Sequence, residues 1–335
     1  MSDARPVKAV ALGGGHGLSA SLAALRLVTT DLTAVVTVAD DGGSSGRIRH
    51  ELNVLPPGDL RMALAALASD DPAHQAWAEL LQHRLGGAGV LAGHPVGNLM
   101  LTGLLDREDA DPVAALARMG ELVGAVGTVL PMSPVPLSLV GSADRFDPAD
   151  PERTRQIRGQ ASLAAALGRV RSVRLLPSGA PACAAAVDAV RAADLVVLGP
   201  GSWFTSVVPH LLLRELGVAL ATTRATVVVT INLVPQPGET DDYGPVDLIR
   251  ILREHAEPVG GLRIDAIVAD EEAVLDTKEL AAYAREVGAR LLLSKLAADD
   301  NAELHDPVRL SEAFREALGG GAASTRLGQG DTQWR

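Results

Sequence analysis

The sequence predicts a doubly wound α/β protein: a mostly parallel sheet covered by helices on both faces, with a small antiparallel insertion. Three observations predict it. Short apolar runs alternate with longer stretches of helical periodicity, the pattern of successive βαβ units. Several strand-to-helix turns are rich in glycine, at the carboxyl edge where such sheets bind their ligands. Aromatic residues make up only 2% of a chain that is 47% apolar, so the core must be assembled from Ala, Val and Leu, with Ala-rich helices packed close on Val/Leu strands.

Val7–Leu12 reads as the first strand, followed by a helix whose Leu18, Leu22 and Leu25 share one face. Thr33–Ala39 reads as the second strand, and "ADDGGSSGRIR" after it as a turn. Helices follow near Leu60–Leu67 and Asn98–Leu105. Between 135 and 177 the pattern changes to short alternating pieces, "VPLSLV" and "SVRLLP", around a Pro/Asp/Arg-rich stretch, which predicts an antiparallel insertion. Four more strands are read in "ADLVVLGPGS", "ATVVVTINLV", "IDAIVAD" and "ARLLLSKL". The organisation expected is one α/β domain over 1–318 and a flexible Gly-rich tail over 319–335.

A net charge of −11 and a pI near 5.2 argue against a nucleic-acid or anionic-membrane partner. The single cysteine, Cys183, excludes an intrachain disulfide and a multi-cysteine metal site. No apolar run approaches the roughly 20 residues of a membrane span, so a cytoplasmic location is expected. No Walker lysine, zinc spacing or Ser/His/Asp order appears.

The chemistry is expected in the turns. Gly13, Gly14, Gly15, His16 and Gly17 lie between strand and helix and fit the loose pattern G-x-G-x-x-G/A. Small residues there let backbone N–H groups approach an anion, although the same glycines also serve close helix–strand packing. Asp40 and Asp41, followed by Gly42, Gly43, Ser44, Ser45 and Arg47, suit a ligand that carries phosphates and hydroxyls, directly or through a magnesium ion. "PPGDLR" adds Asp59 and Arg61, and "GHPVGN" adds Asn98 and His94. "LGPGSWFTS" repeats the first design with Gly199, Gly201, Ser202 and Thr205. "NLVPQPGET" offers Asn232, Gln236, Glu239 and Thr240 as readers of hydroxyls or a base edge. Asp40, Asp41 and Asp59 are the candidate metal ligands, with Mg2+ the expected ion and no redox cofactor.

Six of these motifs, in order between Val7 and about Leu310, resemble the bacterial gluconeogenesis factor family, the YvcK-type relatives of the phospholactate transferase CofD. The resemblance implies a Rossmann-like fold, binding of UDP-sugars such as UDP-N-acetylglucosamine, and a role in cell-wall precursor allocation and cell shape on gluconeogenic carbon. A homo-oligomer and a Ser/Thr kinase acting on Ser324 or Thr325 are further expectations. In the CofD branch the acids corresponding to Asp40 or Asp41 and to Asp59 hold a metal, so a transferase with a guanosine diphosphate donor and a deazaflavin acceptor is an alternative. A NAD-dependent dehydrogenase is a second one, resting on the glycine pattern alone. The family's late Arg-His-Asp-Thr is replaced by Leu304, His305, Asp306 and Pro307.

Overall fold

In the computed structural model, which describes residues 5–107, 111–146, 150, 152–165, 168–236 and 238–319, the first apolar run becomes β1 (Lys8–Gly13). Every residue of β1 after Lys8 is buried, as both-face coverage of a parallel strand demands. The α1 helix (Gly15–Leu25) places Leu18, Leu22 and Leu25 in the core. The chain continues through β2 (Asp31–Val36), α2 (Gly43–Leu52), α3 (Pro57–Ala66), α4 (Pro72–Gln82), α5 (Val96–Leu105), α6 (Pro112–Leu122) and β3 (Thr128–Pro131). Asp71 and Asp111, each just before a proline, cap α4 and α6 by accepting the N–H of Ala73 and Val113.

The insertion follows as β4 (Ser138–Asp144), β5 (Arg155–Arg158), a short α7 (Gln160–Ala164) and β6 (Arg169–Leu176), paired antiparallel in the order β5-β4-β6. The second half contains α8 (Ala184–Ala192), β7 (Leu195–Leu198), α9 (Pro209–Leu212), α10 (Arg214–Thr222), β8 (Thr226–Thr230) and α11 (Pro245–Ala256). It ends with β9 (Ala266–Asp270), α12 (Thr277–Val287), β10 (Arg290–Ser294) and α13 (Pro307–Gly319).

Among the described residues the large sheet has the order β10-β9-β8-β7-β1-β2-β3, and all its pairs are parallel. The chain winds from β1 toward β3 and then from β7 toward β10, in opposite directions. The switch therefore lies between β1 and β7, where a doubly wound sheet opens a crevice at the carboxyl ends of its strands.

The structure departs from the sequence-based expectation in four places. The second strand leaves the ladder early: Thr37 donates its N–H to Gly13, while Val38 accepts from Leu137 at the edge of the insertion. Residues 43–52 form α2 rather than an open turn, and 128–131 add β3 to the sheet, a strand beyond those read from the sequence. In α2 only Ser44, Ser45 and Ile48 are buried, so apolar periodicity gave no signal. The fourth departure is at 203–207, which forms a π-helical turn before α9. Among the described residues no single helix is long and apolar enough to cross a membrane. Ser324 and Thr325 lie outside the described residues.

Candidate functional site

The two glycine loops meet at the switch point. A β-carbon on Gly17 would stand 2.2 Å from the Pro200 carbonyl oxygen and 2.5 Å from Gly201 Cα, so only glycine lets the two turns touch. Asn232, at the end of β8, ties the second loop down in both directions. Its Oδ1 accepts the Gly201 N–H at 2.8 Å and its Nδ2 donates to the Gly201 carbonyl at 3.0 Å. Gly13 to Gly17, Gly199, Gly201 and Asn232 thus come together from β1, β7 and β8.

The acids separate into two groups. Asp59, in the first turn of α3, points its carboxylate at the start of α1: a β-carbon on Gly14 would meet Asp59 Oδ2 at 2.5 Å and Ser206 Oγ at 3.2 Å. Asp59 Oδ2 and the nearby Thr37 Oγ1 are buried without a hydrogen-bond partner. Burial, with repulsion from Asp40, pushes the Asp59 carboxyl up to about 7, against the lowering effect of the Gly15 N–H and Arg61. Asp40 is also raised by burial, while its Oδ1 accepts the Gly42 N–H at 2.9 Å. Asp41 turns away from this pair toward the insertion, where its Oδ1 accepts the Ala161 N–H at 2.9 Å. Among the described residues no three acids or histidines gather into a ligand cluster. Asp40 and Asp59 still fit a hard divalent cation, being buried oxygen donors with Asp59 Oδ2 free of any hydrogen bond; ligand oxygens would have to complete the shell.

The first turn of α2 borders Asp40 on one side and a buried polar chain on the other. Ser45 Oγ accepts the Gly58 N–H at 3.0 Å, joining α2 to the start of α3. Arg61 Nε donates to Asn98 Oδ1 at 2.9 Å, Asn98 Nδ2 donates to Ser44 Oγ at 2.9 Å, and Ser44 Oγ lies 2.7 Å from His94 Nδ1. An arginine only donates, so the asparagine orientation is fixed, while Ser44 Oγ, with a second lone pair beside its proton, can donate to or accept from His94 Nδ1. Burial, with Arg47 nearby, lowers the His94 pKa. Arg47 itself holds the loop before His94, donating to the Ala92 carbonyl at 2.9 Å.

Glu239 closes the other flank. Its Oε1 accepts the N–H groups of Phe204 and Thr205 at 2.6 and 3.1 Å, and Oε2 accepts the Ser202 hydroxyl, which also bonds Thr205. Ser202, Thr205 and Glu239 therefore brace one another. Thr240 accepts the Gln236 N–H at 2.7 Å and serves its own loop. Beside Gly17 and Gly201 lies a cavity of about 150 Å³ lined also by His16, Asn232, Gln236, Leu304 and His305. Gln236 Oε1 and His305 Nε2 are buried there without partners. Arg309 is engaged elsewhere, paired with Asp299 at 2.9 Å.

Sequence reasoning brought most of these residues forward but missed Thr37 and His305. Thr37 follows the last residue of β2, so the rule that ligands bind at strand ends pointed to it. His305 had only its place in the altered late motif as a signal.

A family model described as 2-phospho-L-lactate transferase CofD matches residues 9–304. A Mycobacterium tuberculosis protein, provisionally named a gluconeogenesis factor, is 52% identical over 306 residues, 90% of this chain and 87% of that one. The Bacillus subtilis gluconeogenesis factor is 36% identical over 269 residues, 80% of each chain. A crystal structure of a UPF0052 family member from Bacillus halodurans superimposes with a TM-score of 0.82 at 32% identity, covering 93% of this chain and 100% of that one. These similarities show that the chain belongs to the CofD family, in its gluconeogenesis factor (YvcK-type) branch.

Proposed function

We propose that the crevice binds a nucleoside diphosphate sugar, with UDP-N-acetylglucosamine as the first ligand to test, and that the protein acts as a regulatory sensor of cell-wall precursor supply on gluconeogenic carbon. The observation that carries this reading is the contact of two glycine turns at the switch point of the sheet. The N–H groups of His16 and Gly17 in the first turn of α1 suit a diphosphate, while those of Gly201, Phe204 and Thr205 are spent on Asn232 and Glu239. Asn232 and Glu239 hold the second turn in place. Gln236 and His305 offer polar edges to a base or sugar. Where a Mg2+ ion accompanies the ligand, Asp40 and Asp59 would hold it, and it would neutralise diphosphate charge.

Calorimetry with purified protein tests this. Micromolar affinity, about −8 kcal/mol, is expected for UDP-N-acetylglucosamine. No heat with any UDP-sugar, with or without Mg2+, would overturn the reading.

The Asp40–Asp59 pair favours a second reading, transfer of a phospholactyl group to an alcohol. In that reaction the acceptor oxygen attacks the substituted phosphorus and guanosine monophosphate leaves. Turnover with a guanosine diphosphate donor and a deazaflavin acceptor, abolished in Asp59→Ala, would establish it.

A further inference from the structure

A cavity of about 420 Å³ opens beyond the carboxyl ends of β8 and β9, between the loop 231–244, the start of α11 and the start of α12. Its wall is apolar: Ile231, Leu233, Val246, Leu248 and Leu280 are buried in it beside the Tyr243 ring. The polar groups of that wall are already engaged. Asn232 holds Gly201 through both ends of its amide, Thr240 accepts the Gln236 N–H, and Tyr243 donates its hydroxyl to the Val170 carbonyl.

The rim carries one sign of charge. Asp241 and Asp242 stand on the loop side and Asp276 and Glu279 on the α12 side, and no lysine, arginine or histidine lines the cavity. Of these four acids only Asp242 has an ion pair among the described residues, with Arg145 at 3.9 Å. Asp241 and Asp276 each accept a backbone N–H, from Gly238 at 2.6 Å and from Glu279 at 2.8 Å, which places them without neutralising them. Such a rim repels phosphate. The cavity is therefore no extension of a diphosphate site, although Asn232, Leu233 and Val234 also line the smaller cavity beside Gly17.

Apolar surface continues past the mouth. Leu275 is fully exposed and Val234 is 42% exposed, both on the lining. An apolar floor inside a charged rim, extended by exposed aliphatic side chains, has the layout of a protein-interaction site. A lone organic ammonium ion would meet one side of the rim. A stretch of chain with basic residues on both sides of an apolar anchor meets both.

We infer that this cavity docks a polypeptide segment of a partner protein, in which one or two large apolar side chains are flanked by Lys or Arg. The apolar anchor covers Leu248 and Leu280, and the flanking cations reach Asp241 and Asp242 on one side and Asp276 and Glu279 on the other. The inference stands apart from the nucleotide-sugar reading.

A random twelve-residue peptide display library, panned on the full chain, tests it. The expected result is enrichment of peptides with an aromatic or aliphatic centre between basic residues. A fluorescein-labelled copy of the selected peptide should bind about tenfold or more weakly to Leu275→Ser and to Glu279→Lys in fluorescence polarisation, and less tightly to the wild type as salt rises from 50 to 500 mM. Both side chains are exposed, so neither change disturbs the core. Three results overturn the inference on the peptide side: no enrichment, enrichment of peptides without basic residues, or a selected peptide that binds both variants as tightly as the wild type. A wild-type dimer in sedimentation that Leu275→Ser dissociates assigns the cavity to a second copy and overturns it too. So does a UDP-N-acetylglucosamine affinity that Leu275→Ser weakens about tenfold, which gives the cavity to the nucleotide. Failure of every UDP-sugar to bind bears on the nucleotide reading alone.

Discussion

Asp59 lies against Gly14: a β-carbon on Gly14 would stand 2.5 Å from Asp59 Oδ2 and 2.6 Å from Thr37 Cγ2. The anion nearest the start of α1 is therefore the protein's own carboxylate. Gly14 has an extended backbone, φ −161°, which any residue can adopt, so the close approach alone explains its glycine. Gly14→Ala is expected to lose about 1–3 kcal/mol in urea denaturation through overpacking. Its affinity for UDP-sugars should fall by about tenfold or more, about 1.4 kcal/mol, in calorimetry.

Asp59 also sets a pH dependence. Its folded pKa of about 7 stands above the ordinary 3.8, so between these values the folded protein holds a proton that the unfolded chain has released. Stability contributed by this group is full below about pH 4 and is lost as pH rises toward and through 7. The shift sets a ceiling of about 4 kcal/mol on the loss. Burial shifts Asp40 in the same direction. Denaturation midpoints measured between pH 5 and 8 should fall with pH in the wild type and run flatter in Asp59→Asn.

Divalent cations should reverse that trend. A cation held by Asp40 and Asp59 favours their ionised forms, so it competes with the proton. Millimolar Mg2+ with UDP-sugar present is expected to raise Tm more at pH 8 than at pH 5.5. The increment should vanish in Asp40→Asn and in Asp59→Asn, leaving the nucleotide's own effect.

The parallel sheet was legible because its strands are buried on both faces and read as continuous Val/Ala/Leu runs, as in "VVVT" of β8. Helix α2 was not, because its sequence "GSSGRIRHEL" has one buried apolar side chain, Ile48, and its position is fixed by polar contacts such as Ser44 with His94. The candidate site was legible as a set of turns. What the sequence could not convey is direction: Asp40 and Asp41 are adjacent in the chain, yet one borders α3 and the other caps a turn of the insertion at Ala161. Successive residues in an extended turn point opposite ways, and only tertiary packing decides which faces the crevice.

Glu239 gives the most direct test of the second loop. One buried carboxylate satisfies the N–H groups of Phe204 and Thr205 and the Ser202 hydroxyl. Glu239→Ala strands these donors and should cost about 2–4 kcal/mol. Glu239→Gln keeps Oε1 but replaces the acceptor of the Ser202 proton with a donor. It should cost less in urea denaturation while still weakening UDP-sugar binding through the displaced Ser202.

Leu304 stands where the family's resemblance places an arginine, and in this chain it lines the cavity beside His16, Gly17 and Gly201. It is 54% exposed, so a longer side chain can be accommodated without rebuilding the core. The adjacent His305 is held neutral, its pKa pushed down to about 4 by burial, and supplies no charge at neutral pH. Arg309 is committed to Asp299 and to the Ala297 carbonyl, so it does not replace the missing cation. Leu304→Arg should therefore add a charge-assisted contact to a phosphate at the mouth of the glycine turns. Affinity for UDP-N-acetylglucosamine is expected to rise by about tenfold, about 1.4 kcal/mol, and the gain should shrink as salt is raised from 50 to 500 mM. An unchanged affinity in calorimetry would place the diphosphate away from this wall and nearer Ser202 and Glu239.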